Sequence, residues 1–243
     1  MFWSWILIFV PFLGAALLTQ TKSLKKQSWL VIAVGAISFI ASIVGFLKVR
    51  AAGVLFWENA SLGIFQPALR VDSLSSLFSL FSAFVWFATG IYMYTYMQHE
   101  ERALSFSMFY LITLGATQGI FLAGNLVTLL VFFEIMTVTS FFWVIHRQLP
   151  VKSIKKFLSA GLFIAGAIVL LQAAGVSLEL GVGASVPMNT TMFAWAIVLL
   201  IAGFGIKAGM VPLHIWLPMA HPVAPTPGSA LLSGILIKAG AYG

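Results

Sequence analysis

Three charged side chains fall where an apolar sequence makes charge expensive. Glu134 lies near the middle of LVTLLVFFEIMTVTSFFWVI, Lys207 near the end of the apolar run that leads into GIKAGMVPLHIWLP, and Lys238 inside SALLSGILIKAGAYG. The chain has nineteen Lys, Arg, Asp and Glu residues, and the other sixteen sit in polar loops or at the ends of apolar runs. At the centre of a membrane helix such a charge costs at least about 2.5–3.5 kcal/mol. Burial penalises the charged form of each group, and an opposite charge nearby restores it. An acid and an amine opposed in this way change protonation under a small change of field, which is the property proton transfer needs. The alternative use, a structural ion pair that fixes helix packing, accounts for Glu134 with one lysine. It leaves the other lysine without a role.

The stretch from Lys207 to Lys238 is also where helices must break. It holds Pro212, Pro218, Pro222, Pro225 and Pro227, five of the nine prolines in the chain. Proline lacks the backbone donor and clashes with the preceding turn. Inside lipid, broken backbone survives only where protein buries it or where it lines a wet cavity. His214 follows Pro212 by two residues, and His221 directly precedes Pro222. An imidazole can relay protons near neutral pH, or it can hydrogen-bond a carbonyl freed by the break. Both uses stand for His214, whereas His221 reads as structural. The two are seven residues apart with no other candidate ligand beside them, so no metal site is expected. His99 and His146 fall at apolar boundaries and read as surface residues. Gly203, Gly205 and Gly209 flank Lys207 and permit close helix contact or a bend.

The composition sets the environment. Of 243 residues, 61% are hydrophobic and 8% are Asp, Glu, Lys or Arg, against about 25% charged in a soluble domain. Mean hydropathy is +1.05. The expected class is all-α: a polytopic membrane helix bundle of about eight transmembrane helices with a broken seventh. The net charge of +7 sits in short loops between apolar runs, which argues for membrane topology and against a nucleic-acid partner. The chain has no cysteine, so thiolate-held iron–sulfur clusters, thiolate zinc sites and disulfides are excluded within it. The first residues, MFWSWILIFVPFLGAALL, lack the basic region of a cleaved signal peptide and read as a retained first span.

In chain order the expected spans are 1–18, 29–47, 72–97, 103–123, 126–145, 157–174, 190 to the proline cluster, and 227–243. Residues 51–71 are too mixed to cross and read as a short strand pair or an extended loop. Gly124-Asn125 is a tight-turn signal, and 175–189 reads as a loop. The loop after the first span carries Lys22, Lys25 and Lys26. The loop after the fifth carries Arg147, Lys152, Lys155 and Lys156. These basic loops are expected in the cytoplasm, which puts the N-terminus outside. The eighth run, ~16 residues or about 24 Å, is short of a ~30 Å hydrocarbon core, so further sequence or another polypeptide is expected to complete it.

KAGMVPLHIWLPMAHPVAPTPGSALLSGILIKAGAYG resembles the signature of the antiporter-like membrane subunits of respiratory complex I, of energy-converting membrane-bound hydrogenases and of multisubunit sodium/proton antiporters. LRVDSLSSLF at 69–78 is similar to the start of that family's third helix, and FFEIMTVTSFFWV to its fifth. The resemblance implies that Glu134 modulates the proton affinity of Lys207, that Lys207 sits on the broken seventh helix, and that Lys238 passes protons towards the protein centre. Residues 1–72 would be two N-terminal helices and a loop, and 73–243 the first helical repeat with the start of the next helix. It implies a proton- or sodium-translocating subunit of a redox-driven complex, or a subunit of a multisubunit cation/proton antiporter. A structural membrane subunit that does not pump alone is the third reading. The family continues into a second, inverted repeat, which this chain does not contain. The implied partners are other membrane subunits, including a chain supplying that repeat, with iron–sulfur clusters and other redox centres in partners and no cofactor here.

Overall fold

The structure, a computed structural model, describes residues 1–58, 66–100, 102–144, 151–181 and 191–243, with the backbone alone at 99, 144 and 151–158. The chain is a bundle of membrane helices. In order come α1 (Phe2–Leu18), α2 (Leu24–Ala52), β1 (Leu55–Glu58), β2 (Ala68–Val71), α3 (Ser73–Tyr96), α4 (Ala103–Phe121), α5 (Leu126–Val144), α6 (Val151–Ala173), α7 (Thr191–Ala208), α8 (Trp216–Ala220), α9 (Thr226–Leu231) and α10 (Ile237–Tyr242). Among the described residues, five helical runs are long and apolar enough to cross a membrane: α2, α3, α4, α5 and the interrupted run Thr191–Ala220. α1 and the described part of α6 are apolar but shorter.

Two boundaries differ from the sequence reading for the same reason. α2 begins at Leu24 and α6 at Val151, so Lys25, Lys26, Lys152, Lys155 and Lys156 lie within the first two helical turns, not in loops. Lysine is a good helix former, and its long stem lets the charge reach water from a helical backbone. Hydropathy therefore marks where the apolar part starts, not where the helix starts. Arg147, His146 and residues 182–189 of the expected loop lie outside the described residues, as does the side chain of His99.

Of the two forms the sequence left open for 51–71, the structure shows the strand pair: β1 and β2 are antiparallel, with Leu55 opposite Val71 and Glu58 opposite Ala68. Asp72 then caps α3 through a reciprocal box: Ser75 N–H donates to Asp72 Oδ1 (2.9 Å) and Asp72 N–H donates to Ser75 Oγ (2.8 Å). Such a box satisfies two donors that a helix start leaves open. The α4–α5 connection is short, as Gly124-Asn125 implied, and runs as extended chain along β2. Arg70 N–H donates to Leu122 O (2.9 Å), and Gly124 N–H donates to Ala68 O (2.7 Å). A Cβ on Gly124 would lie 3.0 Å from the Ala68 carbonyl carbon, so the close approach leaves little room for a side chain. Leu180 N–H donates to Gly124 O (2.8 Å). One end of the bundle is thereby tied by backbone hydrogen bonds.

α4 is the buried centre. α1, α3 and α5 pack around it, while α6 pairs with α7 and α10 lies against α7. Trp86, Tyr110 and Trp143 are fully buried and meet edge to face, Trp86 lying 4.6 Å from the Tyr110 ring and 5.7 Å from that of Trp143. Lipid offers no hydrophobic drive for helices to associate, so polar groups serve as cross-links. Ser79 Oγ donates to Gln118 Oε1 (2.5 Å), Thr113 Oγ1 to Thr139 Oγ1 (2.7 Å), and Trp143 Nε1 to Thr113 Oγ1 (3.2 Å). These bonds hold α3, α4 and α5 together and set the rotation of α5, which carries Glu134.

Candidate functional site

α7 ends at Ala208, and the physical cause lies earlier than the proline. Gly209 has φ +69°, the left-handed conformation that glycine adopts freely. Met210 N–H reaches back to Gly205 O (2.9 Å) and Gly209 N–H to Ile206 O (3.3 Å). Those two bonds make the Schellman closure of a helix C-terminus. Pro212 follows and prevents resumption, so the chain passes through a short 3₁₀ turn at Leu213–Ile215 into α8. The expected loss of regular hydrogen bonding between Lys207 and Pro212 is present. Its origin at Gly209 is a correction to the assignment to proline alone. The backbone at the break meets a side chain that the sequence did not single out. Trp216 Nε1 donates to Ile206 O (2.6 Å), whereas His214 Nδ1 is buried with no hydrogen-bond partner among the described residues. His221 is structural in geometry, its Nδ1 lying 2.7 Å from Ser229 Oγ across the link to α9.

Lys207 sits on the last turn of α7 with 1% of its surface exposed, among the largest fully buried side chains of the described structure. Its ammonium donates to Thr137 Oγ1 on α5. Glu134 lies one turn earlier on α5, on the helix face it shares with Thr137. The structure thus places Lys207 against the face of α5 that carries Glu134. One carboxylate oxygen of Glu134, Oε1, is buried with no hydrogen-bond partner among the described residues.

Glycines allow three helices to close around this pair. A Cβ on Gly161 of α6 would strike the Glu134 carboxylate, so the acid lies directly on the α6 backbone. A Cβ on Gly203 would lie 2.9 Å from Ala160 O, and one on Gly240 2.7 Å from the Lys207 carbonyl carbon. Small residues at such contacts let membrane helices approach closely.

Lys238 is elsewhere. It is exposed on the surface of the described structure, and its ammonium donates to the Ser233 carbonyl. Ser233 belongs to a π-helical segment, Leu232–Leu236, that joins α9 to α10. Such segments occur mostly as single wide turns within α-helices. Here it widens the helix one turn before the lysine. Sequence reading missed Thr137, Trp216 and Gly161. A hydroxyl three residues after a buried acid shares its helix face, and that spacing was the available signal for Thr137. Nothing in the sequence pairs Trp216 with Ile206. Among the described residues no three His, Cys, Asp or Glu side chains gather as metal ligands.

Residues 123–243, which contain Glu134, Thr137, Lys207 and Lys238, match the family described as NADH:quinone oxidoreductase/Mrp antiporter, transmembrane. The chain belongs to this antiporter-like family. It is 34% identical to hydrogenase-4 component B of Escherichia coli (strain K12) over 188 residues, 72% of this chain and 27% of that protein. It is 35% identical to Na(+)/H(+) antiporter subunit A1 of Staphylococcus haemolyticus (strain JCSC1435), over 72% of this chain and 23% of that one. Its fold is that of a chain in the membrane-bound sulfane sulfur reductase, an archaeal respiratory membrane complex, with a TM-score of 0.83 at 21% identity over 98% of this chain and 51% of that one. The chain therefore spans between about a quarter and a half of the length of these proteins. Its family consists of multi-pass membrane proteins, and these relatives are components or subunits of multisubunit membrane systems.

Proposed function

We propose that the chain is part of a subunit that translocates protons, or sodium ions, across the cytoplasmic membrane within a redox-driven complex of the complex I or membrane-bound hydrogenase kind. The observation that carries the reading is Lys207, buried at the end of a broken membrane helix and bonded to Thr137 on the face of α5 that carries Glu134. In this reading Lys207 takes up and releases the proton, and Glu134 sets how readily it does so. His214, in the link after the break, relays protons to or from the lysine. Lys238 passes them on to a segment or subunit lying against its exposed face. That neighbour includes the second helical repeat, with residues 73–243 forming the first repeat and the start of the next helix. Electron transfer then belongs to partner subunits that carry iron–sulfur clusters and other redox centres. The basic segments around 22–26 and 147–156 face the cytoplasm and the N-terminus the outside.

The second reading is a subunit of a cation/proton antiporter driven by an existing gradient, which the Staphylococcus relative supports. Genes encoding hydrogenase or quinone-reductase subunits beside this one favour the first reading, and genes for membrane subunits alone favour the second. The direct test replaces Lys207 with Met in the complete complex, reconstituted in vesicles. Cation uptake is expected to fall at least tenfold while the complex still assembles. Uptake equal to the parent's would refute the lysine's role and favour a structural subunit.

A further inference from the structure

Among the described residues, the buried lysine is bonded to a hydroxyl on the face of α5 that also carries a carboxylate. Thr137 is fully buried, and its Oγ1 receives the Lys207 ammonium. The hydroxyl's own proton goes to Phe133 O, 2.6 Å away on the preceding turn. Its lone pairs are therefore turned towards the lysine. Glu134 precedes Thr137 by three residues, which on a helix places their Cβ atoms on one face about 5–6 Å apart. A lysine stem of four methylenes swings over that range. The Glu134 Oε1 atom, meanwhile, is buried without a hydrogen-bond partner among the described residues.

We infer that Thr137 is a positioning residue for Lys207: its hydroxyl is a neutral docking point that holds the lysine one step away from Glu134. The inference rests on the reading of Lys207 as the proton carrier. A hydroxyl suits the part because it both accepts and donates. It accepts from the ammonium while donating to Phe133 O, and by rotating it donates to the neutral amine. The lysine can therefore stay docked through a change of protonation without leaving a polar atom unsatisfied. Being uncharged, the dock does not bind the ammonium as a second carboxylate would, so the lysine moves readily between the hydroxyl and Glu134. Val in this place has the same shape and can do neither.

The test uses the complete complex in proteoliposomes, with cation uptake followed by a ΔpH-sensitive dye, driving turnover measured in parallel and assembly checked on native gels. The variants are Thr137→Val, Thr137→Ser and, as reference, Lys207→Met. A hydrogen bond to a charged group is expected to be worth roughly a tenfold change or more. Thr137→Val should therefore assemble yet lose about tenfold in uptake per turnover, and Thr137→Ser should restore at least half of the parental rate. Parental uptake in Thr137→Val, or a Ser variant no better than Val, overturns the inference while the lysine reading stands. Parental uptake in Lys207→Met overturns both. Should Thr137→Val fail to assemble, Thr137→Ala against Thr137→Ser is read by the same criteria.

Discussion

Gly240 offers a quantitative probe of how tightly the last helix holds the lysine in place. It is buried where α10 crosses the end of α7. A Cβ added there would lie 2.5 Å from Ala208 N, 2.7 Å from the Lys207 carbonyl carbon and 2.9 Å from Lys207 Cβ, where ordinary contact begins at 3.4 Å. Backbone atoms cannot rotate aside, so α10 must retreat by about 1 Å in Gly240→Ala. Overpacking costs up to about 3 kcal/mol. Alanine returns ~1 kcal/mol through its better helix propensity. The steric term wins, leaving a net loss of about 2 kcal/mol. At roughly 2–4 °C per kcal/mol for a chain of this size, the melting temperature should drop by about 4–8 °C. A displacement of about 1 Å at a transfer site also costs rate, by up to ~100-fold, so cation uptake should fall at least tenfold. Gly234 is the matched control on the same helical run. Its Cβ would meet only Val85 Cγ1, at 3.8 Å, so Gly234→Ala should melt and transport like the parent. The assay is thermal unfolding of the purified complex followed by dye-monitored uptake in vesicles. Equal melting of the two variants would show that α10 is not seated against Lys207 as described, and the reasoning would fail.

Two further outcomes follow from the same geometry. Gly209→Ala forces a side chain into the left-handed region at φ +69°, at a cost of about 1–2 kcal/mol, and should lower the melting temperature by about 2–8 °C. Gly209→Asn should be milder, because Asn tolerates that conformation. An unchanged melting temperature for Gly209→Ala would mean that α7 does not close at Gly209. The chain contains no cysteine, so Lys152→Cys gives a single label site. It is expected to react with an impermeant maleimide only in inside-out vesicles, and labelling from the outside would reverse the proposed orientation.

Much of the site was legible because lipid makes charge conspicuous. Glu134 and Lys207 stand out in apolar runs whatever the helices do around them, and their approach was expected from the mutual relief of two buried charges. The proline cluster announced a break, and the mixed composition of 51–71 announced a segment that does not cross, as either a strand pair or an extended loop. Helix starts were less legible, since Lys25 and Lys152 are compatible with both loop and helix. Lys238 shows the opposite limit. Its position within an apolar run says that it sits at membrane depth, but not which face of the helix it occupies. The structure turns it outward onto the Ser233 carbonyl.

What the sequence by itself determined is the environment, the order of the membrane helices and the residue types able to carry a proton. These follow from local quantities: hydropathy, the cost of a charge in hydrocarbon, and the backbone chemistry of glycine and proline. Only the tertiary structure decided which partners those residues have. Whether Lys207 meets a hydroxyl or a carboxylate depends on the rotation of α5 relative to α7. That rotation is set by the Thr113–Thr139 and Trp143–Thr113 bonds to α4 and by the close approach at Gly161, Gly203 and Gly240. The contacts join residues that are tens of positions apart in the chain. No local periodicity carries that information, because packing selects one of several faces that hydropathy leaves equivalent.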